Sequence, residues 1–145
     1  MQWHYTLDEL PDIARQLLFT YGGKRVYALE GELGAGKTTL VAEMCRQLGV
    51  SEPTSSPTFS IANSYPTPEG DILHLDAYRL DSVEEALAAG LEEQIADARY
   101  AVFVEWPAVL EPLLPDDVVF LRLFHDSSES TDRRRLTITT GLPAS

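Results

Sequence analysis

One segment restricts this chain more than any other. Gly31-Glu-Leu-Gly-Ala-Gly36-Lys37-Thr38 sets glycines at 31, 34 and 36 and follows them with a lysine and a hydroxyl. The apolar run Val26-Tyr-Ala-Leu29 precedes it, and Thr38 to Leu48 carries no helix breaker until Gly49. That order reads strand, loop, helix. Glycines let a backbone wrap closely around an anion, and the helix that follows contributes unpaired N–H groups and the positive end of its dipole. A glycine-rich turn with an exposed lysine would match the composition, but it leaves the placement between strand and helix unexplained.

The segment satisfies the P-loop pattern, for which the expected ligand is ATP with Mg²⁺. Backbone groups of Gly34, Ala35 and Gly36 are expected around the phosphates, the Lys37 ammonium on the β- and γ-phosphates, the Thr38 hydroxyl on the metal and Thr39 near the α-phosphate. P-loop proteins take a second metal ligand from an acidic residue at the end of a buried strand. Tyr100-Ala-Val-Phe-Val104 is such a strand by pattern, and it ends on Glu105. A carboxylate at that depth is costly unless a cation or strong donors meet it, so Glu105 is the candidate metal ligand beside Thr38. Asp76, closing the run Ile72 to Leu75, competes for the same role and is equally suited to orienting the attacking water. Lys37, Asp76 and Glu105 are therefore the candidate catalytic groups. His74 beside Asp76 does not make a transition-metal site, since no second histidine stands at ligand spacing and Mg²⁺ prefers oxygen.

The remaining sequence supplies an α/β frame within one domain, 1–145. Thr6-Leu-Asp-Glu9 has the form of a capping box, with Leu7, Leu10, Ile13, Ala14, Leu17 and Leu18 recurring at helical spacing; Pro11 removes an N–H, which predicts that the regular helix starts there. Four prolines between Val50 and Gly70 exclude a long helix or a central strand. Ser82-Val-Glu-Glu85 is a second capping box, opening a helix that stops at Gly90, with a short helix after it near Glu92 to Asp97. Val118 to Phe124 and Leu136 to Thr140 read as two further strands. The chain has 23 acidic and 11 basic residues, a net charge of −12, which opposes direct contact with a polyanion. The single cysteine, Cys45, fits a reducing compartment, and no basic leader or long apolar run is present, so the expected location is the cytoplasm, with no membrane association.

Four blocks in fixed order then carry a resemblance: Gly31 to Thr39, Ser56-Pro-Thr-Phe59, His74-Leu-Asp-Ala-Tyr-Arg-Leu80 and Glu105-Trp106. Together they resemble the TsaE (YjeE) family, the bacterial ATPase subunit needed to make threonylcarbamoyladenosine next to the tRNA anticodon. The similarity runs from about Thr6 to about Arg135. It implies a single P-loop NTPase domain with a mixed, mostly parallel sheet between helices and a C-terminal β-hairpin. It implies weak ATP hydrolysis stimulated by partners, those partners being TsaD and TsaB, with tRNA reached only through them. By position it makes Thr38 and Glu105 the magnesium ligands and Thr58 a switch-like catalytic residue facing the γ-phosphate. It also sets Thr6 near the base and matches Arg133-Arg134-Arg135 to an arginine-containing stretch that approaches the nucleotide; Arg134 is the candidate, three adjacent arginines in a strand cannot all face one way, and which of them makes the contact stays open.

Several of these residues have a second reading. Thr6 is already explained as an N-cap, and Trp106 either stacks on adenine or fills the edge of the core. A small nucleotide or metabolite kinase would use the same loop, and so would a regulatory subunit that binds nucleotide without turning it over. The lack of Asn-Lys-x-Asp speaks against a GTPase more than against a kinase, since the only asparagine, Asn63, precedes Ser64.

Overall fold

The computed structural model describes residues 2–22, 26–32, 36–51, 62–98, 100–125 and 133–140. Gly34, Ala35, Thr58 and the rest of the Ser56–Phe59 block lie outside the described residues. In chain order the elements are β1 (Gln2–Tyr5), a 3₁₀ turn (Leu7–Glu9), α1 (Leu10–Tyr21), β2 (Val26–Gly31), α2 (Lys37–Leu48) and β3 (Ala62–Tyr65). They continue with β4 (Ile72–Asp76), α3 (Val83–Ala88), α4 (Leu91–Asp97), β5 (Ala101–Glu105), a second 3₁₀ segment (Pro107–Leu113), β6 (Val119–His125) and β7 (Arg134–Thr140). No described helix is long and apolar enough to cross a membrane.

The seven strands form one sheet in the order β1-β7-β6-β2-β5-β4-β3. Its four central strands, β6, β2, β5 and β4, run parallel, while β7, β1 and β3 are added antiparallel outside them. This is the expected mixed sheet, and β6 with β7 is the expected antiparallel pair near the C-terminus. Helices cover both faces, as central parallel strands require. Residues alternate accordingly: on β5, Ala101 and Phe103 join a core with Leu40, Met44 and Leu17, while Val102 and Val104 join another with Ala86, Leu91 and Leu110. One core thus lies beneath α1 and α2, the other beneath α3, α4 and the second 3₁₀ segment.

Local chemistry explains most boundaries. The Thr6 backbone N–H donates to Glu9 Oε1 at 2.9 Å, and the α-helix proper begins at Leu10, so that Pro11 falls in its first turn, where a missing N–H costs nothing. Ser82 Oγ accepts from the Glu85 N–H at 3.3 Å, and α3 ends before Gly90, whose positive φ of 77° opens α4. On α2, Leu40, Val41, Met44 and Cys45 are buried at helical spacing, and burial raises the Cys45 thiol to about 12. The proline-rich stretch contains β3, which among the described residues pairs with β4 alone, at the sheet edge where such a sequence tolerates a strand. β1 is not legible in the sequence: Gln2-Trp-His-Tyr5 is short and largely exposed, and it is a strand because β7 offers it a free edge.

At Gly31, which pairs with Leu123 across β2 and β6, a Cβ would lie 2.5 Å from the backbone oxygen of Leu123. Gly31→Ala must therefore push β2 and β6 away from each other. We expect it to lower unfolding free energy by about 1–3 kcal/mol, read as a fall in denaturant midpoint at unchanged slope. Stability equal to wild type would show that the strands separate freely there.

Candidate functional site

The site lies at the C-terminal ends of the central parallel strands, where crevices form in open α/β sheets. β2 leads through the glycine loop to α2, whose N-cap Gly36 has φ 103°, a left-handed conformation that strains any other residue. Lys37 opens the helix and is buried, at 5% exposure. Its ammonium donates to the carbonyl of Gly31 at 2.5 Å and of Glu32 at 3.1 Å, and stands 4.1 Å from the centre of the Trp106 ring. Burial lowers the Lys37 pKa, and the charges of Glu105 and Asp76 partly restore it.

The alternation along the strands brings the acids to this helix. Glu105 shares a face of β5 with Phe103 and Ala101, and that is the α2 face. The Thr38 hydroxyl meets its carboxylate, 3.0 Å from Oε1 and 3.3 Å from Oε2. Asp76 stands beside Glu105 in register on β4 and accepts from the Tyr78 N–H at 3.0 Å. His74, two residues earlier on the same face, places Nε2 2.6 Å from Glu105 Oε2. The strand ends are held in the same network, with the Trp106 N–H on the Leu29 carbonyl and the Ala77 N–H on that of Glu105, each at 3.1 Å.

Lys37, Thr38, Asp76 and Glu105 are thus brought together, as expected from the sequence, while Thr39 lies on the exposed side of α2. Arg134 reaches the loop from β7: a Cβ on Gly36 would lie 3.8 Å from its Nε. Thr6 follows Tyr5, which pairs with Arg134, so Thr6 and Arg134 approach from the same edge. Arg135 points elsewhere, its guanidinium 4.4 Å from the Phe124 ring centre, and Arg133 is exposed. Trp106 belongs to neither core. Its backbone is left-handed, with φ 57°, and its ring contacts both the Lys37 ammonium and Tyr78, whose ring centre is 5.0 Å away. A cleft of about 380 Å³ opens between Trp106 and Leu123–Phe124, beside Gly31 and Glu32. The sequence does not announce the Trp106–Lys37 contact or the bond from His74 to Glu105. The shared parity of His74 and Asp76 is the available signal for the second.

Among the described residues no three His, Cys, Asp or Glu side chains converge as a metal cage. Two oxygen donors meet instead, the Thr38 hydroxyl and the Glu105 carboxylate, from positions far apart in sequence. This donor set fits Mg²⁺, which keeps water and phosphate oxygens and needs few protein ligands.

Comparison with known proteins finds relatives of this chain in both sequence and fold. The family model described as threonylcarbamoyl adenosine biosynthesis protein TsaE matches residues 5–136. The chain is 34% identical over 135 residues to the tRNA threonylcarbamoyladenosine biosynthesis protein TsaE of Streptomyces coelicolor, covering 90% of this chain and 89% of that protein. It is 33% identical over 117 residues to the protein of the same name from Rickettsia bellii, covering 80% of each. In fold it is similar to the crystal structure of Bacillus subtilis YdiB, with a TM-score of 0.70 and 24% identity over 99% of this chain and 86% of that one.

The arginine geometry makes a prediction that separates three neighbours. Arg134→Ala should weaken binding of an adenine nucleotide by about tenfold or more, the loss typical of a charge-assisted hydrogen bond, while Arg133→Ala and Arg135→Ala leave it near wild type. Calorimetric titration of the three variants checks this, and equal losses in all three would show that only net charge matters.

Proposed function

This chain belongs to the TsaE family of tRNA threonylcarbamoyladenosine biosynthesis proteins, and from that premise we propose that it binds ATP with Mg²⁺ and hydrolyses it slowly, as a partner-stimulated subunit beside TsaD and TsaB. The observation that carries this reading is the contact of Thr38 with the buried Glu105, next to an equally buried Lys37 at the N-terminus of α2. A buried carboxylate and ammonium converging with a half-buried hydroxyl at a helix N-terminus suit a charged phosphate ligand better than any apolar one.

The roles follow from position. The α2 N-terminus and Lys37 take up phosphate charge, the lysine with its stem fixed by burial and its head by Trp106. Thr38 and Glu105 hold the magnesium ion, which when bound neutralises charge on the phosphates as the terminal one is transferred. Asp76 is within reach of the same region and half-exposed, as a group that orients water must be. Arg134 and Thr6 approach from the β1–β7 edge, on the nucleotide side of Gly36. Thr58 is the switch-like residue that senses the terminal phosphate. A net charge of −12 gives no footprint for tRNA, so the partner proteins hold the RNA.

Steady-state ATPase of the chain alone, and with TsaD, TsaB and tRNA, tests the reading. Wild type should be slow alone and faster in the complex. Lys37→Ala should abolish the rise in melting temperature given by ATP, worth roughly 2.7 kcal/mol at a hundred times the dissociation constant. Glu105→Gln should lose turnover in the complex by about a hundredfold while retaining some nucleotide affinity. Full activity without partners, or phosphoryl transfer to a small-molecule acceptor, would favour a kinase, and wild-type function of Glu105→Gln a purely nucleotide-binding role.

A further inference from the structure

We propose that His74 is a positioning residue that fixes the Glu105 carboxylate, turning one oxygen to itself and leaving the other for Thr38 and the magnesium ion. The proposal rests on the reading of Glu105 as a metal ligand.

His74 sits in the otherwise apolar run Ile72-Leu-His-Leu75, is 1% exposed and faces α2 with Ile72 and Asp76. A leucine there would extend the core without desolvating a polar ring. The ring is instead committed to one partner. Nε2 lies 2.6 Å from Glu105 Oε2, whereas Thr38 is nearer Oε1, at 3.0 Å against 3.3 Å. The carboxylate is thereby held from two elements, with Oε2 drawn to His74 on β4 and Oε1 lying nearer Thr38 on α2, which opposes its rotation about its last bond. Nδ1 is buried and has no hydrogen-bond partner among the described residues. A ring hydrogen on Nδ1 would be stranded, so the favoured tautomer carries it on Nε2, where it donates to Glu105. Register sets the pair up: His74 stands opposite Phe103, one side-chain step before Asp76 and Glu105, so its ring reaches diagonally along the sheet to the acid. Groups that hold a metal-ligating side chain from behind commonly govern metal affinity as strongly as the ligand's own chemistry does.

The test compares His74→Phe, His74→Gln and Glu105→Gln by titrating a non-hydrolysable ATP analogue at rising Mg²⁺ concentrations and without Mg²⁺. His74→Phe should raise the magnesium needed for tight binding by about 10–100-fold, leaving metal-free nucleotide binding unchanged. His74→Gln, whose amide N–H₂ occupies the place of Nε2, should recover most of the wild-type dependence. Wild-type magnesium dependence in His74→Phe, or equal impairment in the phenylalanine and glutamine variants, overturns the positioning role. If Glu105→Gln itself has wild-type magnesium dependence, the metal-site reading falls and this proposal with it. Should His74→Phe fail to fold, nitrogen NMR of the wild-type protein decides: a His74 ring with hydrogen on Nε2, perturbed when the Mg²⁺ complex forms, supports the proposal, and hydrogen on Nδ1 with a bare Nε2 overturns it.

Discussion

The structure around the glycine loop depends on one carboxylate being taken out of water. Glu105 ends a strand that is buried along its whole length, and it is only 2% exposed itself. Removing a carboxylate from water costs several kcal/mol unless donors meet it, so the fold has to bring them. It brings the Thr38 hydroxyl from α2 and the His74 ring from β4, and sets the Lys37 charge nearby. Three elements that meet nowhere in sequence are thereby tied at one point. The packing of α2 on the sheet is fixed by this polar knot as well as by Leu40, Val41 and Met44.

Lys37 has the complementary problem. Burial disfavours its charged form, and the acids across the site only partly offset that. A pair of carbonyls and the Trp106 ring face hold the ammonium, and neither demands that it lose its charge. Trp106 reaches this position at the cost of a left-handed backbone, which in a residue other than glycine persists only where its surroundings enforce it. Here the enforcement is visible: the Trp106 N–H is bonded to Leu29, Pro107 follows at once, and Tyr78 packs on the ring. Strain and charge are stored side by side, at the loop expected to meet phosphate.

Much of this is readable from residues alone, and the reason is locality. The glycine loop, the capping boxes at Thr6 and Ser82 and the apolar run ending on Glu105 each carry their meaning within a few positions. The pairing of His74 with Glu105 does not, because it depends on which residue of β4 lies opposite Phe103, and register between strands separated by two helices has no local signature. β1 escapes a sequence reading for a similar reason, since its strand character is conferred by β7. Trp106 suits both base stacking and core filling by residue type, and its observed place over Lys37 follows from a backbone turn that the sequence Glu-Trp-Pro does not announce.

The attachment of β1 to β7 has a consequence in time. Among the described residues β1 pairs with no strand but β7, so it waits for a strand made much later in synthesis before it can pair. Closing so long a loop carries an entropic cost that local helices do not, and contacts of this kind form late. Tyr5 and Arg134 are the two ends of that closure, and Arg134 is the arginine beside Gly36. The loop and α2 are complete in the nascent chain long before the arginine that flanks them arrives. On the proposed role of Arg134, its share of nucleotide binding is withheld until β7 has joined the sheet, so the site is completed by the same step that closes the β1 edge.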